Sequence, residues 1–238
     1  GRETIGRVAA GAIAVKMLSS LGVSFLTYTK SIGCIEITPE NFKVDEIDNN
    51  PLYMPDATAA KKAGIYLEEC IKNQNSSGGV CECIITGLPV GLGDPVFEKI
   101  DANLAKAIMS IGAVKGFEIG DGFEAAKATG LTNNDAFIIE DGIVKKTTNH
   151  SGGTLGGMTD GSPLILRAAI KPTPSIANTQ HTVNKSGENI DISIKGRHDP
   201  IIVPRAVVVV ESMAAITIAD ALLINMASRM DKIIDFYK

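Results

Sequence analysis

The apolar residues of this chain recur with the period of an α-helix in three separate stretches. Residues 3–21 combine apolar and small side chains and end at Gly22, which predicts a helix that can pack closely against a neighbour. Asp56 is placed to cap a second helix that runs to about Asn73. A third helix is predicted to follow residue 95, with these apolar residues on one face: Phe97, Ile100, Leu104 and Ile108.

The longest apolar stretch, residues 207–227, is interrupted by Glu211 and Asp220. It is long enough to cross a membrane, but a membrane span would bury both carboxylates at a high cost in free energy. We therefore predict a core helix with Pro204 in its first turn, although the β-branched residues 207–210 favour a strand locally.

Strand patterns lie between the helices. β-Branched and aromatic residues predict strands at 23–37 (bent at Gly33), 80–86, 114–119 and 164–170. Residues 39–55 are typical of a loop, and the pair Asp141-Gly142 between apolar runs predicts a hairpin. Ile190, Ile192 and Ile194 alternate with polar residues, which predicts a half-buried strand.

No repeat, linker or shift in composition divides the chain. Helical and strand patterns alternate without the regular order of a parallel sheet. We predict a single α+β domain over residues 1–238, with long core helices and antiparallel strands.

Composition narrows the class of protein. Apolar residues make up 45% and charged residues 21% of the chain, which is typical of a soluble globular protein. The net charge of −4 gives no general attraction to nucleic acid or to anionic membranes, so neither is expected as a partner. The four cysteines have no disulfide or metal spacing, and we predict buried, reduced thiols in a cytoplasmic protein.

Arg197, His198 and Asp199 place a permanent cation, a group that titrates near neutrality and a carboxylate side by side. Gly196 and Pro200 flank them and restrict the backbone. Such a segment suits a site that binds an anion and transfers a proton, and a solvated turn is the alternative.

Other polar segments are also candidates for a ligand site. Residues 87–95 and 149–157 are rich in glycine. The second segment allows a ligand close to the backbone, with N–H groups free to bind an anion, and a mobile loop is the alternative. Lys171 ends an apolar strand, and Thr173 and Ser175 add hydrogen-bond donors; an ordinary strand exit is the alternative. Arg2 precedes a helix N-terminus, where it is either solvated or directed at a bound phosphate.

Taken together and in order, these segments resemble the chorismate synthase family. The matching stretches are Arg2-Glu3-Thr4 with residues 8–14, then residues 89–97, 109–123, 149–153, 171–175, 196–200 and 203–206. The resemblance covers nearly the whole chain, to about residue 223. It implies a fold in which core helices lie between antiparallel β-sheets, and a homotetramer.

The resemblance also implies an activity. The family eliminates phosphate and a proton from 5-enolpyruvylshikimate 3-phosphate in an anti-1,4 sense, which yields chorismate. It requires reduced FMN although the reaction has no net redox change. No separate reductase domain fits in this sequence, so an external flavin reductant is expected. Reduction of the flavin with NADPH by the protein itself would argue against this expectation.

The resemblance further implies roles for individual residues. Asp199 matches a carboxylate beside the reactive edge of the flavin and is assigned proton transfer. Arg2 and Arg197 match positions near substrate, and the role of His198 stays open. The implied cofactor contacts are Gly112, Ala113, Gly156, Lys171, Pro172, Thr173, Pro174, Ser175 and Arg197; Gly112 stands where the family more often has Asn or Pro.

The family pattern extends further upstream than this sequence. Before the Arg-Glu-Thr motif the family has two catalytic histidines, phosphate-binding arginines and an Arg-Ser-Ser flavin motif. His150, His181 and His198 do not match those histidines, and the sequence begins at Gly1 without methionine, so an upstream segment is expected. The alternatives are a non-catalytic FMN-binding fragment and a structural subunit.

Overall fold

The computed structural model of the chain describes residues 2–194, 196 and 199–238. The predicted α+β class is confirmed, because helices are combined with antiparallel strand pairs. The helices are α1 (Thr4–Ser19), α2 (Glu46–Asn49), α3 (Ala57–Lys72), α4 (Ile100–Met109), α5 (Gly130–Asn133), α6 (Val203–Met226) and α7 (Met230–Tyr237). Two 3-10 helices lie at Pro39–Asn41 and Gly122–Lys127.

The strands form one larger sheet and separate hairpins. They are β1 (Ser24–Ile32), β2 (Ile35–Glu36), β3 (Gly79–Thr86), β4 (Val114–Ile119), β5 (Phe137–Glu140), β6 (Ile143–Lys146), β7 (Thr154–Leu155), β8 (Met158–Thr159), β9 (Leu164–Ile170), β10 (Gln180–Val183) and β11 (Asn189–Ile192). The five-stranded sheet has the order β2-β1-β3-β9-β4, and β5-β6, β7-β8 and β10-β11 pair antiparallel. The predicted hairpin turn is confirmed at Asp141 and Gly142, whose φ angles are 52° and 76°.

The chain forms two compact units. Unit 1 comprises Gly1–Thr27, Glu82–Ala168 and Val208–Lys238, and unit 2 comprises Tyr28–Cys81 and Ala169–Val207. Each unit is assembled from segments that are distant in sequence. The single domain over 1–238 stays a prediction.

Close helix packing organises unit 1. A Cβ atom on Gly11 of α1 would overlap the Cα and Cβ atoms of Ser212 on α6, so the two backbones approach one another at this glycine. The close packing predicted for the first helix is thereby confirmed. Fully buried apolar side chains make up the rest of this core: Leu18, Ile85, Leu92, Ile100, Leu104, Ile108, Leu164, Leu166 and Ile218.

Helix α3 belongs to unit 2. The predicted cap is confirmed, because the Asp56 carboxylate accepts hydrogen bonds from the backbone N–H groups of Thr58 and Ala59, both at 2.9 Å. The same buried carboxylate accepts from the Thr38 N–H at 3.2 Å, which ties the preceding loop to the helix start. Backbone hydrogen bonds to the carboxylate outweigh the opposing effect of burial and lower the pKa of Asp56.

Helix α6 has the length and apolar composition of a membrane span, and it is the one such helix in the described part of the chain. Many of its residues nevertheless lie in the protein core, including Val203, Val210, Ala214 and Ile218. Residues 207–210 are helical, so the core helix predicted from the sequence is confirmed and its local strand preference is overridden by packing.

Several sequence predictions need correction. Residues 23–37 form two antiparallel strands with a turn at Gly33 and Cys34 instead of one bent strand. Phe97 precedes helix α4 and is 87% exposed, so it is not part of the buried face. The strand β11 is exposed along its whole length, because its only paired neighbour among the described residues is β10.

Two smaller expectations also change. The predicted loop 39–55 contains a 3-10 turn and the short helix α2. Cys34 is exposed, whereas Cys70, Cys81 and Cys83 are buried free thiols as predicted. Burial raises the pKa of the Cys83 thiol to about 12, so this cysteine stays protonated.

Candidate functional site

In unit 1, the start of helix α1 lies beside the end of helix α4. The Arg7 guanidinium donates to the Ser110 hydroxyl at 2.7 Å and to the Ser110 carbonyl at 3.3 Å. Arg2 is exposed, in the turn that leads into α1. Gly112 and Ala113 follow Ser110 closely, so the structure brings these predicted cofactor residues near the N-terminal end of α1.

The turn at Gly112 and Ala113 has room for a ligand. No described atom lies within 4 Å of the position that a Cβ on Gly112 would occupy. Ala113 has a φ of 73°, which is uncommon for a residue with a side chain and is often found at functional sites. The open turn is compatible with the predicted cofactor contact, which stays a prediction.

The third predicted contact in unit 1, Gly156, lies at the tip of the β7-β8 hairpin. The space around it is open, and the next residue, Gly157, accepts a hydrogen bond from the Ile100 N–H at 2.8 Å. This places the tip at the beginning of α4, whereas Gly112 and Ala113 follow its end. A helix of ten residues is about 15 Å long. The structure therefore does not bring Gly156 next to Gly112 within this unit.

A mainly apolar groove of about 750 Å³ runs along the same hairpin. Leu155 and Met158, which flank the tip, form one part of its wall, and Phe137 and Val144 form another. Pockets with apolar walls and few polar groups are typical sites for small-molecule ligands.

The glycine-rich loop 149–153 is more constrained than the sequence suggested. The N–H groups of His150 and Ser151 donate to Asp135, at 2.7 and 3.0 Å, and the Gly153 N–H donates to the Asn149 side chain at 2.8 Å. The expectation of free N–H groups for an anion is therefore wrong for these residues. Their hydrogen bonds are already used to hold the loop in shape.

His150 and Asp121 form a partly exposed pair at the edge of this loop. Their Nδ1 and Oδ2 atoms are 2.7 Å apart, and the Asp121 N–H donates to the His150 carbonyl at 2.8 Å. The pair connects the glycine loop to the turn that follows β4.

In unit 2, a serine turn joins two of the predicted site segments. The Ser76 hydroxyl donates to the Thr173 carbonyl at 2.7 Å, and the Ser77 N–H donates to the Pro200 carbonyl at 2.8 Å. The segment 171–175 and the neighbour of Asp199 are therefore anchored on consecutive residues of one turn.

The segment 171–175 presents polar groups of its own. Lys171 is exposed, and the Thr173 hydroxyl is buried without a hydrogen-bond partner among the described residues. The Gln180 side chain donates to the Pro174 carbonyl at 3.2 Å and so connects this segment to the start of β10. A buried hydroxyl without a partner is costly, so a polar ligand that bonds to Thr173 would be favoured.

Asp199 is held by an arginine from the beginning of α6. Two parallel hydrogen bonds from Arg205 reach its carboxylate oxygens at 2.7 and 3.0 Å. This bidentate geometry fixes the orientation of the carboxylate. The proton-transfer role of Asp199 stays a prediction, and Arg197 and His198 lie outside the described residues.

The sequence interpretation missed the groups that support these segments. Asp135, Lys146 and Asp160 around the glycine loop were not singled out, nor were Ser76 and Ser77. The partners of Asp135 lie 11 and 16 residues away along the chain, across a hairpin. Local spacing carries no signal for such contacts.

Comparison with known proteins identifies the fold and then the family. A crystal structure of chorismate synthase superimposes with a TM-score of 0.80 and 32% sequence identity, and the match covers 99% of this chain and 68% of that one. A family model described as chorismate synthase matches residues 1–223. The chain belongs to the chorismate synthase family.

Curated relatives agree with this assignment. A chorismate synthase from Agathobacter rectalis is 83% identical over 238 residues, and one from Methanococcoides burtonii is 49% identical over 222 residues. The matches cover 100% and 92% of this chain, but only 65% and 61% of the relatives. The chain therefore spans a little under two thirds of the length of these relatives.

Proposed function

We propose that the protein to which this chain belongs converts 5-enolpyruvylshikimate 3-phosphate to chorismate, eliminates phosphate, and uses reduced FMN. The family match over residues 1–223 is the observation that carries this proposal. The family match argues against the alternative interpretations, a non-catalytic FMN-binding fragment and a structural subunit. A cytoplasmic homotetramer with an external flavin reductant is part of the same proposal.

The residues of unit 2 fit such a cofactor. The exposed Lys171 offers a positive charge, and the buried Thr173 hydroxyl lacks a partner among the described residues. Pro172 and Pro174 restrict the backbone between them. Lys171, Thr173 and Ser175 would hold the flavin, whose reduced ring would supply electron density for the departure of the phosphate.

The chain's own groups then bind anions and carry a proton. Arg2 and Arg197 would bind the substrate phosphate and carboxylates through charge-assisted hydrogen bonds. The carboxylate of Asp199 would accept the proton that leaves the substrate, and Arg205 holds this carboxylate in a fixed orientation.

The substitution Asp199→Asn in the intact protein tests this role. The amide keeps the shape of the side chain but cannot act as a base at neutral pH. We expect a folded protein that still binds FMN and loses turnover by a factor of about 10² or more. Anaerobic formation of chorismate with pre-reduced FMN is the measurement.

The matched control is Asp191→Asn, a substitution of an exposed carboxylate on β11 that pairs with His181. It should leave turnover unchanged. Normal turnover in Asp199→Asn would exclude the proposed role, and no chorismate from the unaltered protein would exclude the proposed activity.

A further inference from the structure

Three charged side chains are buried together in unit 1, beside the β7-β8 hairpin. The side chain of Lys146, at the end of β6, is 5% exposed, and the side chains of Asp135 and Asp160 are each 7% exposed. Lys146 pairs with both carboxylates and donates to the Ser151 hydroxyl at 3.0 Å. We call these three residues the Lys146 cluster.

Stability alone does not account for a buried cluster of this kind. Desolvation of three charges costs free energy that their mutual attraction only partly offsets, and apolar residues of equal volume are often as stable. The position of the cluster in the fold is therefore more informative than its energy.

Asp135 fixes the first part of the glycine loop. Its carboxylate accepts hydrogen bonds from the Thr148 hydroxyl at 2.7 Å, from the His150 N–H at 2.7 Å, and from the N–H and hydroxyl of Ser151 at 3.0 and 2.8 Å. Burial opposes the charge, but these hydrogen bonds prevail and lower the pKa of Asp135 well below its ordinary value. The carboxylate is thus a permanent acceptor at neutral pH.

Asp160 fixes the other side of the same segment. Its N–H donates to the Gly153 carbonyl at 3.1 Å, and its carboxylate accepts from the Ser162 N–H at 2.9 Å. Lys146 therefore joins Ser151 and Asp160, which lie at the two sides of the base of the β7-β8 hairpin. Gly156 is at the tip of that hairpin.

We propose that the Lys146 cluster is a positioning device that fixes the base of the β7-β8 hairpin, so that Gly156 at its tip is already oriented for the cofactor. The inference rests on the proposed function, because it assumes that Gly156 contacts the flavin. A loop that is held in its binding conformation loses less entropy when the ligand binds. None of the three charged side chains needs to touch the ligand itself.

Lys146→Met and Asp160→Asn in the intact protein test this role, with Lys145→Met as the matched control. Lys145 is the neighbouring residue, but it is exposed and pairs with Glu140 on the surface. Asp160→Asn retains the side-chain shape and the Lys146–Asp135 pair, so it remains informative if Lys146→Met does not fold.

Two measurements are made on each variant: amide hydrogen exchange without flavin, and the dissociation constant of FMN from fluorescence quenching. We expect exchange in residues 149–157 to become about tenfold faster in the two cluster variants, and FMN binding about tenfold weaker, as is typical when supporting residues behind a ligand contact are removed. Exchange in the β10-β11 hairpin should not change, and Lys145→Met should match the unaltered protein.

Faster exchange throughout the chain with unchanged FMN affinity would indicate a purely structural cluster and would overturn the inference. Affinities and loop exchange equal to those of Lys145→Met would also overturn it. If the unaltered protein binds no FMN, the proposed function is wrong, and the positioning role of the Lys146 cluster is wrong with it. If every variant binds FMN normally, only the positioning role is rejected.

Discussion

Glu211 is a carboxyl group in the middle of the long apolar helix α6. It is half-buried, and desolvation raises its pKa above the ordinary value. The nearby Thr27 side chain opposes this shift, but the effect of burial is the larger of the two. In the sequence this residue served as evidence against a membrane span, but only its burial reveals the perturbed titration.

The raised pKa predicts a pH-dependent difference in stability between the wild type and Glu211→Gln. Between the ordinary pKa of glutamate and the raised pKa, the folded state binds more protons than the unfolded state, so wild-type stability falls as the pH rises. Glutamine has no such dependence. We expect the variant to gain stability relative to the wild type as the pH rises from about 4 through this range.

Urea unfolding at a series of pH values measures this difference. Asp220→Asn is the control, because Asp220 lies on the same helix but is exposed. A stability difference for Glu211→Gln that does not vary with pH would show that the carboxyl titrates normally.

Asp199 shows how far sequence interpretation reaches for a single site residue. The motif identified Asp199 as a candidate site residue. It did not identify Arg205 as the bidentate partner of Asp199, because the turn that begins α6 separates the two residues. The partner depends on the path of the backbone through that turn.

At the scale of elements, helix α1 contains two glycines in opposite environments. Gly6 is exposed with open space around it, whereas Gly11 is buried against the backbone of Ser212. The sequence predicted a closely packing helix, but it did not distinguish these two glycines or identify α6 as the partner.

The two glycines therefore predict opposite effects of the same substitution. Gly6→Ala should raise the free energy of unfolding by about 0.5–1 kcal/mol, because alanine favours a helix. Gly11→Ala should lower it by about 1–3 kcal/mol, because the new methyl group forces α1 and α6 apart. Thermal and denaturant unfolding of the intact protein measure both effects, and each variant is the control for the other; equal effects would contradict the observed packing.

At the scale of the whole molecule, the predicted ligand residues are distributed over both compact units. Arg2, Gly112, Ala113 and Gly156 belong to unit 1, and the segment 171–175 with Asp199 belongs to unit 2. Within unit 2 the serine turn joins its two segments, and within unit 1 helix α4 separates Gly156 from Gly112. Assignment to one flavin and phosphate site comes from the family resemblance and stays a prediction.

That assignment predicts linked binding of cofactor and substrate by the intact protein. Oxidised FMN should bind saturably, and 5-enolpyruvylshikimate 3-phosphate should tighten this binding. When one ligand has already ordered a shared site, the second ligand binds with a smaller loss of conformational entropy. Fluorescence titration of FMN with and without the substrate measures the effect. Riboflavin, which lacks the phosphate, is the control and should bind more weakly; absence of saturable binding would support a structural subunit instead.

The sequence by itself determined the main helices and strands, the Asp56 cap, the hairpin at Asp141-Gly142 and the family. These features depend on periodicity and on residues within about four positions of each other, or on ordered motifs along the chain. Only the tertiary structure revealed the Arg7–Ser110 and Ser76–Thr173 contacts and the Lys146 cluster, and it showed that β11 is exposed. Arg7 and Ser110 are 103 residues apart, and Ser76 and Thr173 are 97 apart. The partners of such residues are set by the path of the folded chain, which local spacing does not encode.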